Sequence, residues 1–250
     1  QVVSRSEDSI VEEARRLTRH PAFTGIIQDV GGPTANMYGF ECERKTKQGA
    51  CASKRCLFPT CCPALKPDHS AQISLLRRLR RLPGVRKVFV ASGIRPDLIA
   101  ADPNHGAAYI DELVAHHVSG QLKLAPEHAD PRVLRAMGKP GQESLLDFVK
   151  LFRAANERHH LKQFLTYYFI AAHPGCGDAE MLALKQFASR HLRLAPEQVQ
   201  IFTPTPSTWS TAMYYTGINP FTGQPITVTR GLRAKQAQKD ILTAVRGFRS

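Results

Sequence analysis

The sequence predicts an α/β fold in which parallel strands alternate with helices. Short, nearly continuous apolar runs alternate with longer runs whose apolar residues recur at helical spacing. A polar segment rich in Gly and Pro follows each apolar run, as expected where a strand turns into a helix. With 250 residues and 42% hydrophobic composition, the chain is long enough for one barrel-type domain or for two smaller domains.

The helical runs are recognised by their caps and by their apolar spacing. The first run opens with Ser6, Asp8 and Ser9, residue types that favour a helix N-terminus. In the second run four leucines recur at helical spacing, so its arginines are expected on the solvated face. The predicted helices cover 6–19, 70–82, 107–117, 143–158 and 178–192.

Each of the five predicted strands is followed by a polar segment, and these segments contain most of the candidate ligand-binding residues. The strands cover 24–30, 86–92, 120–125, 164–172 and 197–203. The segments that follow them read GGPTANMY, SGIRPD, APEHADP, HPGCGD and TPTPST. In parallel α/β folds, ligands bind outside the carboxyl ends of the strands. We therefore expect these segments to converge on one site, the alternative being that Gly and Pro only form turns.

The pattern changes near Tyr214. A turn-rich stretch follows, and the chain then ends in a basic segment of helical character. We therefore predict a main domain over 1–213 and a C-terminal extension over 214–250 that begins a following segment. The chain does not begin with Met, and we expect it to be an excerpt of a longer protein.

The charge balance is strongly basic. Lys and Arg exceed Asp and Glu by 13, a surplus that attracts polyanions such as RNA unless neighbouring domains balance it. No run is long and apolar enough for a membrane span, and the charged N-terminal stretch does not resemble a secretory signal. We expect a cytoplasmic location and no membrane partner.

Five of the six cysteines fall within a short stretch, and Cys176 stands apart. The clustered cysteines are Cys42, Cys51, Cys56, Cys61 and Cys62. Disulfides are disfavoured in a reducing compartment, whereas thiolates bind zinc or iron–sulfur clusters. The spacing C-x8-C-x4-C-x4-C-C is not that of a zinc ribbon, so a metal site and a merely structural cysteine-rich loop both stay open. Nearby Lys45, Lys47, Lys54 and Arg55 favour the thiolate form.

The order of several longer motifs resembles one known family. The sequence resembles the YgiQ family, a branch of the radical S-adenosylmethionine enzymes. The resemblance rests on the motifs SRSEDSI, GGPTANMY, ASGIRPDL, HHVSGQLKLAPEH, VLRAMGKPG, YYFIAAHPGCGD and MYYTGINP. The resemblance covers nearly the whole chain and implies a partial (β/α) TIM-type barrel with its helices outside. In that superfamily a [4Fe–4S] cluster on a C-x3-C-x2-C loop reductively cleaves S-adenosylmethionine, and the resulting 5′-deoxyadenosyl radical abstracts a substrate hydrogen.

The sequence departs from the superfamily at its central motif. No C-x3-C-x2-C occurs among the six cysteines. The resemblance places that motif upstream of SRSEDSI, so we expect the cluster ligands to lie outside this chain. The chain alone is then expected to be inactive. The full-length enzyme would need an electron donor and would act on a substrate that the resemblance does not identify. The cysteines of the insert over 40–66 would then be the ligands of a second cluster or of zinc, or form a cysteine-rich cap without metal.

The resemblance also implies a set of cofactor-binding residues. Gly31 and Gly32 match the turn whose backbone receives the amino acid end of the cofactor, although Pro33 stands where the superfamily has an acidic residue. The further candidates leave the later strands: Ser92, Arg95, Lys123, Glu127, His128, His173 and Gly175. The alternatives are a tight turn at the glycines, a surface ion pair at Arg95 and a local stabilising network elsewhere.

Two other functions compete with this one. The first is a non-catalytic, zinc-stabilised module that binds nucleic acid, suggested by the charge and the cysteines. The second is an ordinary barrel enzyme that uses Glu127, His128 and His173 as acid and base groups. No recognised nucleic-acid motif occurs and no nucleophile is spaced with a base, so the agreement of the motifs in order favours the radical enzyme.

Overall fold

The computed structural model describes residues 3–32, 34–49, 51, 55–194, 196 and 198–243. Within these ranges the helices are α1 (Glu7–Thr18), α2 (Glu43–Gln48), α3 (Ser70–Arg80), α4 (Pro96–Ala100), α5 (Gly106–His116), α6 (Pro131–Met137), α7 (Glu143–Arg158), α8 (Asp178–Phe187), α9 (Trp209–Thr216) and α10 (Leu232–Thr243). The strands are β1 (Ile26–Ile27), β2 (Lys87–Val88), β3 (Gln121–Glu127), β4 (Phe164–Ala171) and β5 (Val199–Ile201).

The chain forms two compact units. The first consists of Gln1–Leu124 and Glu143–Thr166, and the second of Ala125–Gln142 and Tyr167–Ser250. Residues 214–243, predicted as a separate extension, belong to the second unit together with β5. Strands β3 and β4 each contribute residues to both units.

In the first unit, neighbouring strands run parallel as predicted. Ile26 pairs with Lys87 and Ile27 with Val88, and Ile94 forms a parallel bridge to Leu124 in β3. These ladders are shorter than the apolar runs that predicted them. One cause is Asp29, whose carboxylate accepts hydrogen bonds from the backbone N–H groups of Ala91 and Ser92. These side-chain hydrogen bonds replace the next backbone hydrogen bonds between the two strands.

The core of the first unit forms where the helices pack beside these strands. Helix α1 packs against α3, and both α4 and α5 pack against α7. Leu75, Leu76 and Leu79 are fully buried on α3, which confirms the predicted leucine face. Ser6 caps α1 through its side chain, which accepts a hydrogen bond from the N–H of Ser9, also as predicted.

In the second unit, β4 and β5 run parallel, with Phe169 opposite Val199 and Ala171 opposite Ile201. Helix α10 packs against α8 and β5. The predicted helix over 178–192 is α-helical only to Phe187 and continues as a π-helical turn over Ala188–Leu192.

The sheets are a two-stranded pair, β1-β2, and a three-stranded set in the order β3-β4-β5. The α/β class is therefore confirmed. The described strands do not close into a barrel, so the TIM-type barrel that the resemblance implies stays a prediction. None of the helices in the described ranges is both long and apolar enough to cross a membrane.

Candidate functional site

The side chain of Asp29 connects the turn after β1 to the loop after β2. Asp29 accepts backbone hydrogen bonds from Ala91 at 2.8 Å and from Ser92 at 3.2 Å, and the Ser92 hydroxyl donates to its second oxygen. Ser92, predicted to bind the cofactor, therefore uses its hydroxyl to hold Asp29. The residue that organises the turn is Asp29, which the sequence analysis did not single out.

The two glycines of this turn differ in what surrounds them. A Cβ at Gly31 would lie 2.5 Å from the Ser92 Oγ and 2.8 Å from an Asp29 oxygen, so the turn requires glycine there. A Cβ at Gly32 would meet nothing within 4 Å. The fold explains Gly31, whereas the space beside Gly32 is open to a ligand. Pro33 lies outside the described residues.

A cavity of about 280 Å³ adjoins this turn. Most of its lining is apolar, with a few polar groups among them, which is typical of a small-molecule site. The lining residues used below are Gly31, Gly32, Tyr38 and Gln72. The cavity thus lies within the first unit, beside the turn that the family resemblance assigns to the amino acid end of the cofactor.

Gln72, a residue of the cavity lining, has a buried side-chain oxygen without a hydrogen-bond partner among the described residues. Its side chain is only 2% exposed, and its amide nitrogen donates to the Ala35 carbonyl at 2.6 Å. No described residue donates to its Oε1, although buried side-chain oxygens normally have a partner.

A buried network fixes the end of the same loop. The side-chain amide of Asn36 accepts from Arg95 N at 2.9 Å and donates to the Arg95 carbonyl, also at 2.9 Å. The Nδ1 of His69 lies 2.7 Å from Asp102, and its Nε2 lies 3.3 Å from the Asn36 amide nitrogen. A neutral His69 with its proton on Nδ1 satisfies both contacts, in keeping with a pKa that burial lowers.

Asp102, Asp68 and His105 form the group of potential metal ligands whose ligand atoms lie closest together in the described part of the chain. Both Asp102 oxygens already accept N–H groups, from His69 on one side and from Asn104 and His105 on the other. Burial works to raise the pKa of Asp102, but these hydrogen bonds outweigh it and the pKa is lowered. Asp102 therefore serves the fold as a capping carboxylate.

Arg95 lies near Cys61 and is not among the residues that line the cavity. Its guanidinium binds Asp97 in bidentate fashion, with Nε 3.0 Å from Oδ1 and Nη2 2.5 Å from Oδ2. This is the ion pair given above as the alternative reading of Arg95. Lys123 is half-buried, and its backbone carbonyl accepts from Ile94 at 3.0 Å.

The candidates of the second unit follow β3 and β4. Glu127 ends β3 with a positive φ of 66°, and its carboxylate lies 2.6 Å from the Lys139 ammonium. Ala172 follows β4 with φ 60° and is fully buried. Non-glycine residues in this region are strained and concentrate at functional sites. The resemblance had already pointed to Glu127, whereas no sequence signal identifies Ala172, because an alanine at the end of an apolar run looks like any other strand residue.

His128 is paired with Cys176 in the core of the second unit. Its Nδ1 accepts from the N–H of Asp130 at 3.0 Å, and its Nε2 lies 3.4 Å from the Cys176 sulfur. Burial lowers the pKa of His128 to about 4 and raises that of Cys176 to about 12. At neutral pH the pair is a neutral imidazole and a thiol, which suits packing better than acid–base or nucleophilic chemistry.

His173 and Gly175 begin the loop after β4. The Nδ1 of His173 lies 2.8 Å from the Pro174 carbonyl, and its Nε2 lies 2.8 Å from the Ser210 hydroxyl. Gly175 adopts a positive φ of 86° and donates its N–H to Thr227 at 2.7 Å. Both residues hold the loop in place, since their polar groups are already used within the unit.

The five clustered cysteines are all free thiols. Cys42 forms an antiparallel bridge with Leu65, whose N–H donates to Cys62, and Cys62 in turn donates to the Cys56 carbonyl at 2.7 Å. The segment thereby folds back on itself and brings cysteines from its two ends together. Lys54, one of the basic residues cited above, lies outside the described residues.

The chain is similar in sequence to a family of unknown function and to several UPF0313 proteins. The family described as "Domain of unknown function (DUF3362)" matches residues 197–244. A UPF0313 protein of Fusobacterium nucleatum subsp. nucleatum is 52% identical over 245 residues, which cover 98% of this chain and 43% of that protein. UPF0313 proteins of Methanosarcina mazei and Thermotoga neapolitana are 47% and 48% identical over 96% and 94% of this chain.

The matched regions cover 38% of the Methanosarcina protein and 41% of the Thermotoga protein. The names of these relatives state no activity, ligand or partner. The chain is therefore similar over almost its whole length to UPF0313 proteins, and it spans less than half the length of each of these three relatives.

Proposed function

We propose that this chain is the cofactor-binding part of a radical S-adenosylmethionine enzyme, with the partial (β/α) barrel that the motif order implies. The observation that carries the proposal is the cavity beside Gly32, whose lining includes Tyr38 and Gln72. This cavity adjoins the turn after a parallel strand, where α/β folds bind their ligands.

The residues present fit the amino acid end of S-adenosylmethionine. The backbone at Gly32 can approach a carboxylate closely because no Cβ intervenes. Gln72 and Tyr38 place an amide and a phenol in the same lining, groups that can form hydrogen bonds with the polar end of a ligand. About 280 Å³ is near the lower limit for a small-molecule site, so it accommodates part of the cofactor, not all of it.

Each part of the chain has a distinct task in this proposal. Asp29 and Ser92 hold the turn in the conformation that presents Gly32. The Asn36–His69–Asp102 network keeps the end of that loop from moving. When bound, the cofactor and its [4Fe–4S] cluster supply a carbon-centred radical that takes a hydrogen atom from the substrate.

His128 and His173 have no part in this proposal. Both are almost fully buried, and the ring nitrogens of each already have partners within the second unit. Glu127 can still contact a ligand, since it is only partly buried, although Lys139 neutralises its charge.

The test starts from the reading frame that encodes this chain, which should contain C-x3-C-x2-C upstream of Gln1. The full-length protein, reconstituted anaerobically and reduced, should convert S-adenosylmethionine into 5′-deoxyadenosine and methionine. Gly32→Ala should weaken S-adenosylmethionine binding at least about tenfold, about 1.4 kcal/mol, without loss of stability. Ser74→Ala, on the exposed face of the helix that carries Gln72, should change neither.

Two results would refute the proposal: an upstream sequence without the motif, or a Gly32→Ala enzyme with unchanged affinity. A colourless, zinc-containing product that binds RNA would instead favour the nucleic-acid-binding module, which the net charge of +13 supports. Salt-dependent RNA binding alone does not distinguish the two, because basic charge produces it in either case. A cytoplasmic location and an electron donor belong to the same proposal.

A further inference from the structure

Residues 205–233 of the second unit, called the α9 surface below, expose several aromatic side chains. Trp209 is 58% exposed, Tyr215 67% and Phe221 45%. The ring centroids of Trp209 and Phe221 lie 5.2 Å apart in an edge-to-face contact, so the loop after α9 folds back against the start of the helix. Large apolar side chains that are exposed together usually mark a binding surface.

The α9 surface starts at the carboxyl ends of β4 and β5. The Nε2 of His173, which follows β4, lies 2.8 Å from the Ser210 hydroxyl on α9. The ring of Phe202, which follows β5, lies 5.1 Å from that of His173 and 5.8 Å from that of Tyr214. Parallel α/β folds bind their ligands at this edge of the sheet. The exposed rings therefore adjoin a position where the fold favours ligand binding.

Trp209 is presented by a well-braced turn. The Thr208 hydroxyl caps α9 by accepting from the N–H of Thr211 at 3.2 Å. The hydroxyls of Thr208 and Thr211 both donate to the Thr205 carbonyl, at 3.1 and 2.7 Å. Ser207 adopts a positive φ of 61° within this turn. Because the backbone beside Trp209 is already fixed, a ligand that stacks on its ring has little ordering to impose.

The α9 surface is basic and contributes no carboxylate. The sequence contains no Asp or Glu over 198–239. Arg230 is exposed, and its Nη2 donates to the carbonyls of Tyr214 at 2.9 Å and Tyr215 at 3.1 Å. Its guanidinium carbon lies 5.4 Å from the centroid of the Tyr214 ring. The basic residues over 198–239 are Arg230, Arg233, Lys235 and Lys239.

Aromatic rings beside basic groups are the arrangement that binds single-stranded nucleic acid, whose bases stack while its phosphates pair with the cations. Ile218 and Leu232 are also exposed, so an apolar protein segment is the competing occupant. The run without a carboxylate favours the polyanion, because an apolar segment gains nothing from it. Thr205 and Ser207 are exposed beside Trp209, and their hydroxyls can bond to the ribose 2′-OH, which DNA lacks.

We propose that the α9 surface binds single-stranded RNA, with a base stacked on Trp209 and the phosphates paired with the basic residues of the surface. The inference does not rest on the proposed function, which concerns the cavity of the first unit. It requires no metal and is compatible with either function discussed above. Failure of one proposal therefore leaves the other standing.

The experiment titrates the 250-residue chain with a uridine oligonucleotide of about 12 nucleotides, a length that fits one binding site. Trp209 is the single tryptophan of the sequence, so a base stacked on it should quench the fluorescence of the chain. Trp209→Ala should weaken binding about tenfold, measured by the fluorescence anisotropy of a labelled oligonucleotide. Trp209→Phe, which keeps an aromatic face, should lose less affinity. Phe164→Ala removes an exposed aromatic side chain of the first unit and is the matched control.

The quenching is measured on the unaltered chain, so it tests the proposal even if a variant fails to fold. Absence of binding would overturn the proposal. Binding without quenching, and with equal affinity for Trp209→Ala, would do the same, because charge alone would then account for it. Equal affinity for the deoxyribose oligonucleotide or for an RNA duplex would exclude recognition of single-stranded RNA. A dimer that Trp209→Ala dissociates would show that a second copy of the chain occupies this surface instead.

Discussion

The buried His128 makes a quantitative prediction about acid stability. In the unfolded chain an exposed histidine has a pKa of 6.5, whereas burial lowers the pKa of His128 to about 4 in the folded protein. Between these values the unfolded chain binds one more proton than the folded one, so the free energy of unfolding decreases as the pH falls. The contribution of His128 is complete above pH 6.5 and is lost as the pH approaches 4.

The free energy of unfolding is expected to decrease by about 3 kcal/mol in total, and about 2 kcal/mol of this decrease occurs between neutral pH and pH 5. His128→Asn keeps an acceptor for the Asp130 N–H but cannot titrate, so comparison of the two proteins isolates this contribution. Trp209 is the single tryptophan of the sequence and lies in the second unit, as does His128. Urea unfolding followed by its fluorescence at pH 8 and pH 5 therefore reports on the relevant unit.

The unaltered chain should lose about 2 kcal/mol more than His128→Asn over this pH range. Asp130, His173 and Glu180 also influence the His128 charge, but they are present in both proteins. Parallel pH dependences would show that the imidazole becomes protonated without unfolding, and the reasoning from burial would be refuted.

Three further substitutions test the first unit, each by urea unfolding followed by far-ultraviolet circular dichroism. Leu76→Ala removes a fully buried side chain and should lower the free energy of unfolding by about 3 kcal/mol. A decrease of less than about 1 kcal/mol would mean that α3 is not packed as described. Asp102→Asn replaces an acceptor oxygen by an amide N–H that faces backbone N–H groups, and it should lower the free energy of unfolding by about 2 kcal/mol. Asp147→Asn is the exposed control and should change that free energy by less than about 0.5 kcal/mol. Gly31→Ala should destabilise the chain because its Cβ overlaps Ser92; stability equal to that of Gly32→Ala would contradict this.

Much of the local structure was predictable because it depends on residues close together in the sequence. The α7 helix agrees with its predicted range, and α1, α3 and α5 agree within two residues at each end. Spacing of apolar residues and capping side chains act over a few positions, so one sequence is enough to locate them. The parallel direction of β1 with β2 and of β4 with β5 also followed from the βα order.

The candidate site was only partly predictable, because most of its polar contacts join distant positions. Ser92 looked available to a cofactor until the fold placed it on Asp29, 63 residues away. His128 looked like an acid–base group until Cys176, 48 residues away, covered its ring. A residue pattern shows which groups are present, but it does not show which of them are already hydrogen-bonded.

The sequence by itself determined the α/β class, the helices and the concentration of cysteines in one segment, since each follows from composition and short-range periodicity. Only the tertiary structure decided which of the candidate groups remain open to a ligand: the space beside Gly32 is open, whereas the Ser92 hydroxyl and the His128 ring have partners within the fold. The physical reason is that burial and hydrogen-bond partners are set by chain segments that meet only after folding.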